Sequence, residues 1–155
     1  SLGNTDPRRL ENLIRPIGFY RQKATRLIAF SKYFVQNYGG SLDKLFNKSI
    51  QDVREELSAI KGIGPETADS ILLYAAEKSV FPIDTYTKRI FTRLGFIRSD
   101  KTNYEESRIF FESNLPRDIG VYKEFRALIV KLGKTYCKTE PKCEGCPLVD
   151  ICIFS

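Results

Sequence analysis

All four cysteines of the chain, Cys137, Cys143, Cys146 and Cys152, fall within its last 19 residues, separated by five, two and five residues. Disulfides among them would close very short loops and leave the body of the chain unclamped, so the crowding serves badly as an oxidised staple. It suits four thiolates brought by short loops to one metal centre. Zinc and an iron–sulfur cubane both accept such a set. Zinc ribbons usually pair two C-x2-C knuckles, whereas this chain has one, Cys143 to Cys146, with a wider arm on each side, which tilts the reading towards iron–sulfur. No other ligand type accompanies the thiols, so the centre reads as structural rather than catalytic.

Two further features could do chemistry. Gly62-Ile63-Gly64 lies between two helical patterns, where glycines let the backbone turn tightly and approach a surface closely. A following helix offers N–H groups and a positive dipole end, a place for a phosphate that requires no base to be read. Taken alone, the pair also fits an ordinary helix–helix turn. Asp84, which follows Glu66 by 18 residues, sits where a helix N-cap belongs. A capping carboxylate is held rigidly at the positive helix end, and facing a sugar it could stabilise an oxocarbenium-like transition state or orient water. Taken alone, capping explains it fully.

Composition narrows the classes. The 155 residues contain no histidine, which removes His bases, His metal ligands and Ser-His-Asp triads. Proton transfer and charge stabilisation fall to Asp, Glu, Lys, Tyr or Cys. The formal net charge of +6 favours a polyanionic partner. No apolar run reaches the roughly 18–20 residues of a membrane span, and the N-terminus lacks a secretory layout. The expectation is an intracellular protein, in the cytoplasm or nucleoid if prokaryotic.

The elements that must position these residues are helical throughout, so the expected fold class is all-α. Asp6 and Pro7 open a first helix over Leu10, Leu13 and Ile14, and a second runs from Arg21 to about Asn37 with the stripe Ala24, Leu27, Ile28, Phe34, Val35 and Tyr38, ended by Gly39-Gly40. Ser41 and Ser49 are placed to cap the next two. Pro65 opens a helix to about Lys78, and Phe81-Pro82-Ile83 is extended because the residue before proline avoids the α region. Helices follow over Thr85–Leu94, about Tyr104–Asn114, and Ile119–Tyr136, the last with Tyr122, Phe125, Leu128, Ile129, Leu132 and Tyr136 as core.

Together, the run Leu57 to Asp69 (LSAIKGIGPETAD), the run Pro82 to Arg89 (PIDTYTKR) and the four-cysteine tail resemble the endonuclease III branch of the helix-hairpin-helix, or HhH-GPD, DNA glycosylases. The similarity covers about Leu10 to Cys152. The resemblance implies a two-domain helical body that holds double-stranded DNA in a cleft with the damaged nucleotide flipped out. It implies a part of a six-helix barrel over 1–78, with the hairpin at about 53–78, and an iron–sulfur domain over 79–155 with its cluster loop at 137–152. It implies a 4Fe–4S cluster on Cys137, Cys143, Cys146 and Cys152, Asp84 as catalytic carboxylate, and DNA contacts from Lys61, Gly62, Ile63, Gly64 and Thr67. Lys138 and Lys142, in the first cysteine loop, touch DNA in relatives, and a monovalent cation can sit at the hairpin.

Three departures refine this. Strand-nicking relatives carry a lysine nucleophile directly before the Thr-Ala of the hairpin helix, where this chain has Glu66. A carboxylate cannot form the Schiff base on which β-elimination depends, so the expectation is a monofunctional glycosylase, with Glu66 as a second candidate near base or water. The alternatives are a bifunctional glycosylase/AP lyase using a displaced Lys61 or Lys88, and a non-catalytic DNA-binding module. The first cysteine loop is one residue shorter than usual in the family. The family also has more chain ahead of the hairpin, and this chain lacks methionine. Both suggest an N-terminal segment or a split subunit that completes the barrel.

Overall fold

A computed structural model of the chain describes residues 2–154, and every regular element among them is a helix. The chain divides into two compact units, Ser1–Ala68 and Asp69–Ser155, so the division falls inside one helix.

The first unit holds α1 (Pro7–Leu13), α2 (Tyr20–Tyr38), α3 (Leu42–Phe46), α4 (Ile50–Ala59) and the first turn of α5 (Pro65–Tyr74). Local signals set its helix starts. Asp6 caps α1 through the Arg8 amide at 3.0 Å, and the Ser49 hydroxyl accepts from the Asp52 amide at 3.1 Å while donating to the Asp52 carboxylate at 2.7 Å. Ser41 precedes α3 but makes no side-chain cap bond. Gly39, in the left-handed region, ends α2. The buried face is Leu10, Ala24, Phe34, Tyr38, Leu45, Val53 and Leu57, while Leu27 and Val35 of the expected α2 stripe are 40 and 50% exposed.

A polar clasp joins α2 to α4. The Glu56 carboxylate accepts from Tyr33 Oη at 2.7 Å, from Tyr38 Oη and from Lys48 Nζ at 2.6 Å, and Lys48 also donates to Tyr38 Oη at 2.6 Å. Burial raises the Tyr33 phenol to about 12, helped by its bond to the carboxylate. Burial also pushes the Glu56 carboxyl up, but bonds from Lys48, Tyr38 and Tyr33 outweigh it and leave the group below its ordinary value.

The second unit holds the rest of α5, then α6 (Thr85–Arg93), α7 (Tyr104–Asn114), α8 (Ile119–Thr135) and a 3₁₀ turn, Val149–Ile151. Asp84, Asn103 and Asp118 cap the three full helices. Helix α5 stops at Tyr74, four residues before the expected Lys78. Glu77 adopts a positive φ of 49° there, and the Lys78 amide turns back to the Leu72 carbonyl. The core centres on Phe81, which stacks on Phe111 at 4.8 Å and meets Tyr122 edge-on at 5.3 Å. Gly133 lets α8 approach α6, because any Cβ there would strike the Tyr86 ring. In α8, Tyr122 and Ile129 are buried as expected, but Leu128 is 55% exposed and Arg126 is buried in the same stripe.

Candidate functional site

The hairpin belongs to the first unit. Ile60 and Ile63 are buried and joined by an Ile63 N–H to Ile60 carbonyl bond of 2.9 Å, which anchors the turn while Lys61, Gly62 and Gly64 stay exposed. Gly62 has φ +93°, and a Cβ on it would lie 2.7 Å from Arg26 Cγ. Glycine is therefore required twice, by conformation and by close approach. The Gly64 carbonyl accepts from the Ala68 amide at 3.0 Å and so starts α5, with Pro65, Glu66 and the exposed Thr67 in its first turn. Among the sequence-selected residues, Lys61, Gly62, Gly64, Glu66 and Thr67 form this one local surface, while the Ile63 side chain is buried beneath it.

Asp84 belongs to the second unit. It ends a run, Val80 to Ile83, that is almost wholly buried and tied by its backbone. The Phe81 amide donates to Glu112 at 2.9 Å and the Ile83 amide to Tyr104 Oη at 3.3 Å. Tyr104 Oη in turn donates to the fully buried Asp69 carboxylate at 2.8 Å. Asp84 itself is 7% exposed. Its Oδ1 accepts from the Thr87 amide at 2.7 Å and the Thr87 hydroxyl at 2.8 Å, and its Oδ2 accepts from Arg126 Nη2 at 3.3 Å. Arg126, Tyr104 and Asp69 were not selected from sequence. The signal for Arg126 was present: it lies four residues after Tyr122 and three before Ile129, on a face that is otherwise apolar.

The four cysteines, also in the second unit, are half-buried, unbridged, and line one small cavity of about 30 Å³, with Arg93, Tyr136, Lys142 and Phe154 among the walls. Among the described residues no three His, Cys, Asp or Glu side chains converge tightly enough to hold a single ion. Cys137 follows the end of α8, Gly145 makes the turn between Cys143 and Cys146 at φ +73°, and Cys152 closes the 3₁₀ turn. Helix α6 grips this loop. Arg89 Nε donates to the Cys137 carbonyl at 2.9 Å, and Arg93 donates to the Lys138 and Thr139 carbonyls at 2.6 and 2.8 Å and to Cys137 Sγ at 3.4 Å. The loop lysines Lys138 and Lys142 remain exposed. Four thiols around one cavity, with a cationic donor aimed at a sulfur, fit a multi-atom thiolate-bound group.

Residues 1–117 match the family model described as HhH-GPD superfamily base excision DNA repair protein. MJ1434 of Methanocaldococcus jannaschii, a candidate DNA repair glycosylase, is 46% identical over 151 residues, covering 97% of this chain and 68% of that protein. A solved non-covalent complex of endonuclease III with DNA superposes with a TM-score of 0.76 at 25% identity, covering 99% of this chain and 67% of that one. H. pylori 3-methyladenine DNA glycosylase (MagIII) bound to 1,N6-ethenoadenine gives a TM-score of 0.73 at 30% identity, over 86% of this chain and 65% of that one. The chain thus spans about two thirds of each of these proteins.

Proposed function

The chain belongs to the HhH-GPD superfamily of base excision DNA repair proteins, and from that premise we propose that it hydrolyses the N-glycosidic bond of a damaged base in double-stranded DNA without nicking the strand. The observation that carries the reading is the immobilised Asp84 carboxylate. Both lone pairs of Oδ1 are taken by Thr87, which leaves Oδ2 as the oxygen able to meet a sugar. As the C1′–N bond breaks and its electron pair leaves with the base, positive charge builds on the sugar ring. A fixed carboxylate stabilises that charge without reorganising. Water then forms the C1′–O bond, and the proton it loses ends on the departed base, which carries the electron pair of the broken C1′–N bond.

Glu66, in the first turn of α5, holds the place of the family's lyase lysine, and a carboxylate forms no Schiff base. Of the displaced candidates, Lys88 spends its ammonium on the Thr102 carbonyl. The hairpin, Lys61 to Gly64 with Thr67 and a bound monovalent cation, holds phosphates, and Lys138 and Lys142 add contacts. Cys137, Cys143, Cys146 and Cys152 would hold a 4Fe–4S cluster, which supplies a rigid cross-link of the 137–152 loop. Alkylated bases head the substrate list, since MagIII is a 3-methyladenine glycosylase.

Duplexes bearing 3-methyladenine, uracil, an oxidised pyrimidine or 8-oxoguanine test the reading. The expected result is base release from at least one, with strand breaks only after alkali. A borohydride-trapped adduct on abasic DNA would overturn the monofunctional assignment.

A further inference from the structure

Arg126 is 8% exposed on the buried face of α8, where an aliphatic residue would pack without desolvating a charge. Its guanidinium is incompletely satisfied. Nη2 donates to Asp84 Oδ2 and Nη1 to Ser70 Oγ, both at 3.3 Å, Tyr74 lies 5.7 Å beneath the guanidinium carbon, and the buried Nε has no partner among the described residues. A buried ion pair with a donor left over adds little or nothing to stability compared with an apolar replacement of both partners. Stability therefore does not account for the arginine, while its geometry does assign it a task. Thr87 fixes one oxygen of Asp84, and Arg126 fixes the other from a second helix. The approach that brings α8 to α6 depends on Gly133 under Tyr86.

We infer that Arg126 is a positioning residue for base removal: it aims the remaining lone pair of Asp84 Oδ2 and holds the carboxylate plane across α6 and α8. The inference rests on the reading of Asp84 as the carboxylate that faces the sugar. Arg126 does not touch the reacting atoms in this account. It acts through Asp84, so its contribution exists only while Asp84 is an aspartate. Small misplacements of a catalytic group are costly, and a loss near 10²-fold is the scale expected for an unaimed carboxylate.

The test is a double-mutant cycle on the full-length protein, read by single-turnover base release from whichever of the duplexes bearing 3-methyladenine, uracil, an oxidised pyrimidine or 8-oxoguanine the wild type processes. Arg126→Ala is expected to slow release by about 30- to 100-fold with affinity for the same duplex changed less than about threefold. In an Asp84→Asn background the same change is expected to slow release by less than about twofold. Millimolar guanidinium should restore part of the Arg126→Ala rate where urea does not, and Arg126→Lys should recover part of it unaided. If Arg126→Ala proves unfolded, the lysine variant carries the cycle. An Arg126→Ala rate within about twofold of wild type overturns the inference, as does a loss of equal size in both backgrounds. A wild type that releases no base from any duplex overturns the proposed function itself, and the positioning role with it.

Discussion

Two carboxylates, one in each unit, receive several donors apiece, and they differ in how their networks close. Glu56 takes two phenols and an ammonium, and one of those phenols also accepts from the same ammonium, so the network closes on itself between α2, α4 and Lys48. Asp84 takes an amide, a hydroxyl and a guanidinium, three donors as Glu56 does, but these donors do not bond one another and the buried Arg126 Nε is left over. A closed network contributes to stability; one with capacity left over costs stability and suits a group that must meet a substrate. The contrast supports the reading of Glu56 as a structural carboxylate and of Asp84 as the one proposed to meet the sugar.

The sharpest way to break the comparison is to neutralise each carboxylate in turn. Asn is as good an N-cap as Asp but leaves the buried Arg126 guanidinium without its counter-charge, so Asp84→Asn should lose about 3–5 kcal/mol of stability while base release per folded molecule falls on the order of 10²–10³-fold. Glu56→Gln should lose less stability, because its partner Lys48 is solvated, and should keep its activity. Its melting temperature should fall by about 3–6 °C, corresponding to about 1–2 kcal/mol once solvent screening is allowed for, with the rate per folded molecule unchanged. A Glu56→Gln enzyme as slow as Asp84→Asn, read by single-turnover assay and calorimetry, would erase the distinction.

The pH dependence of stability sharpens it further. Tyr33 is raised to about 12 in the folded chain, so its contribution is whole below the ordinary phenol value near ~10 and is lost as pH climbs from there towards 12. Glu56 is lowered, so its contribution is present above the ordinary value near ~4.3 and is lost as pH falls through the folded value. Denaturant melts across pH should show both edges, and Glu56→Gln should flatten them. The smallest effect is expected at the hairpin, where Lys61→Ala should weaken duplex binding a few-fold and reduce the salt slope of log K by about 1.

Much of this was legible in the sequence because it is local. The caps Asp6, Ser49 and Asp84 act on amides two or three residues away, and Pro65 and Gly62 declare backbone restrictions that no distant contact alters. The cysteine spacing carried the same kind of information. The end of α5 was not legible, since nothing in Ala75 to Lys78 forbids a helix and the turn at Glu77 comes from where the chain must go next. Periodicity named Leu27, Val35 and Leu128 as core, but a stripe wider than the surface it meets leaves its margins exposed.

The sequence alone thus determined that this is an all-helical chain with a glycine hairpin, a capping aspartate and a four-thiol tail, because each depends on residue type and short spacing. Only the tertiary structure decided that Asp84 answers to an arginine 42 residues away, that Arg89 and Arg93 hold the cysteine loop from the helix Asp84 begins, and that Glu56 is a clasp. Those pairings depend on how closely helices pack, which is set by contacts such as Tyr86 over Gly133, and no local spacing encodes the distance between α6 and α8.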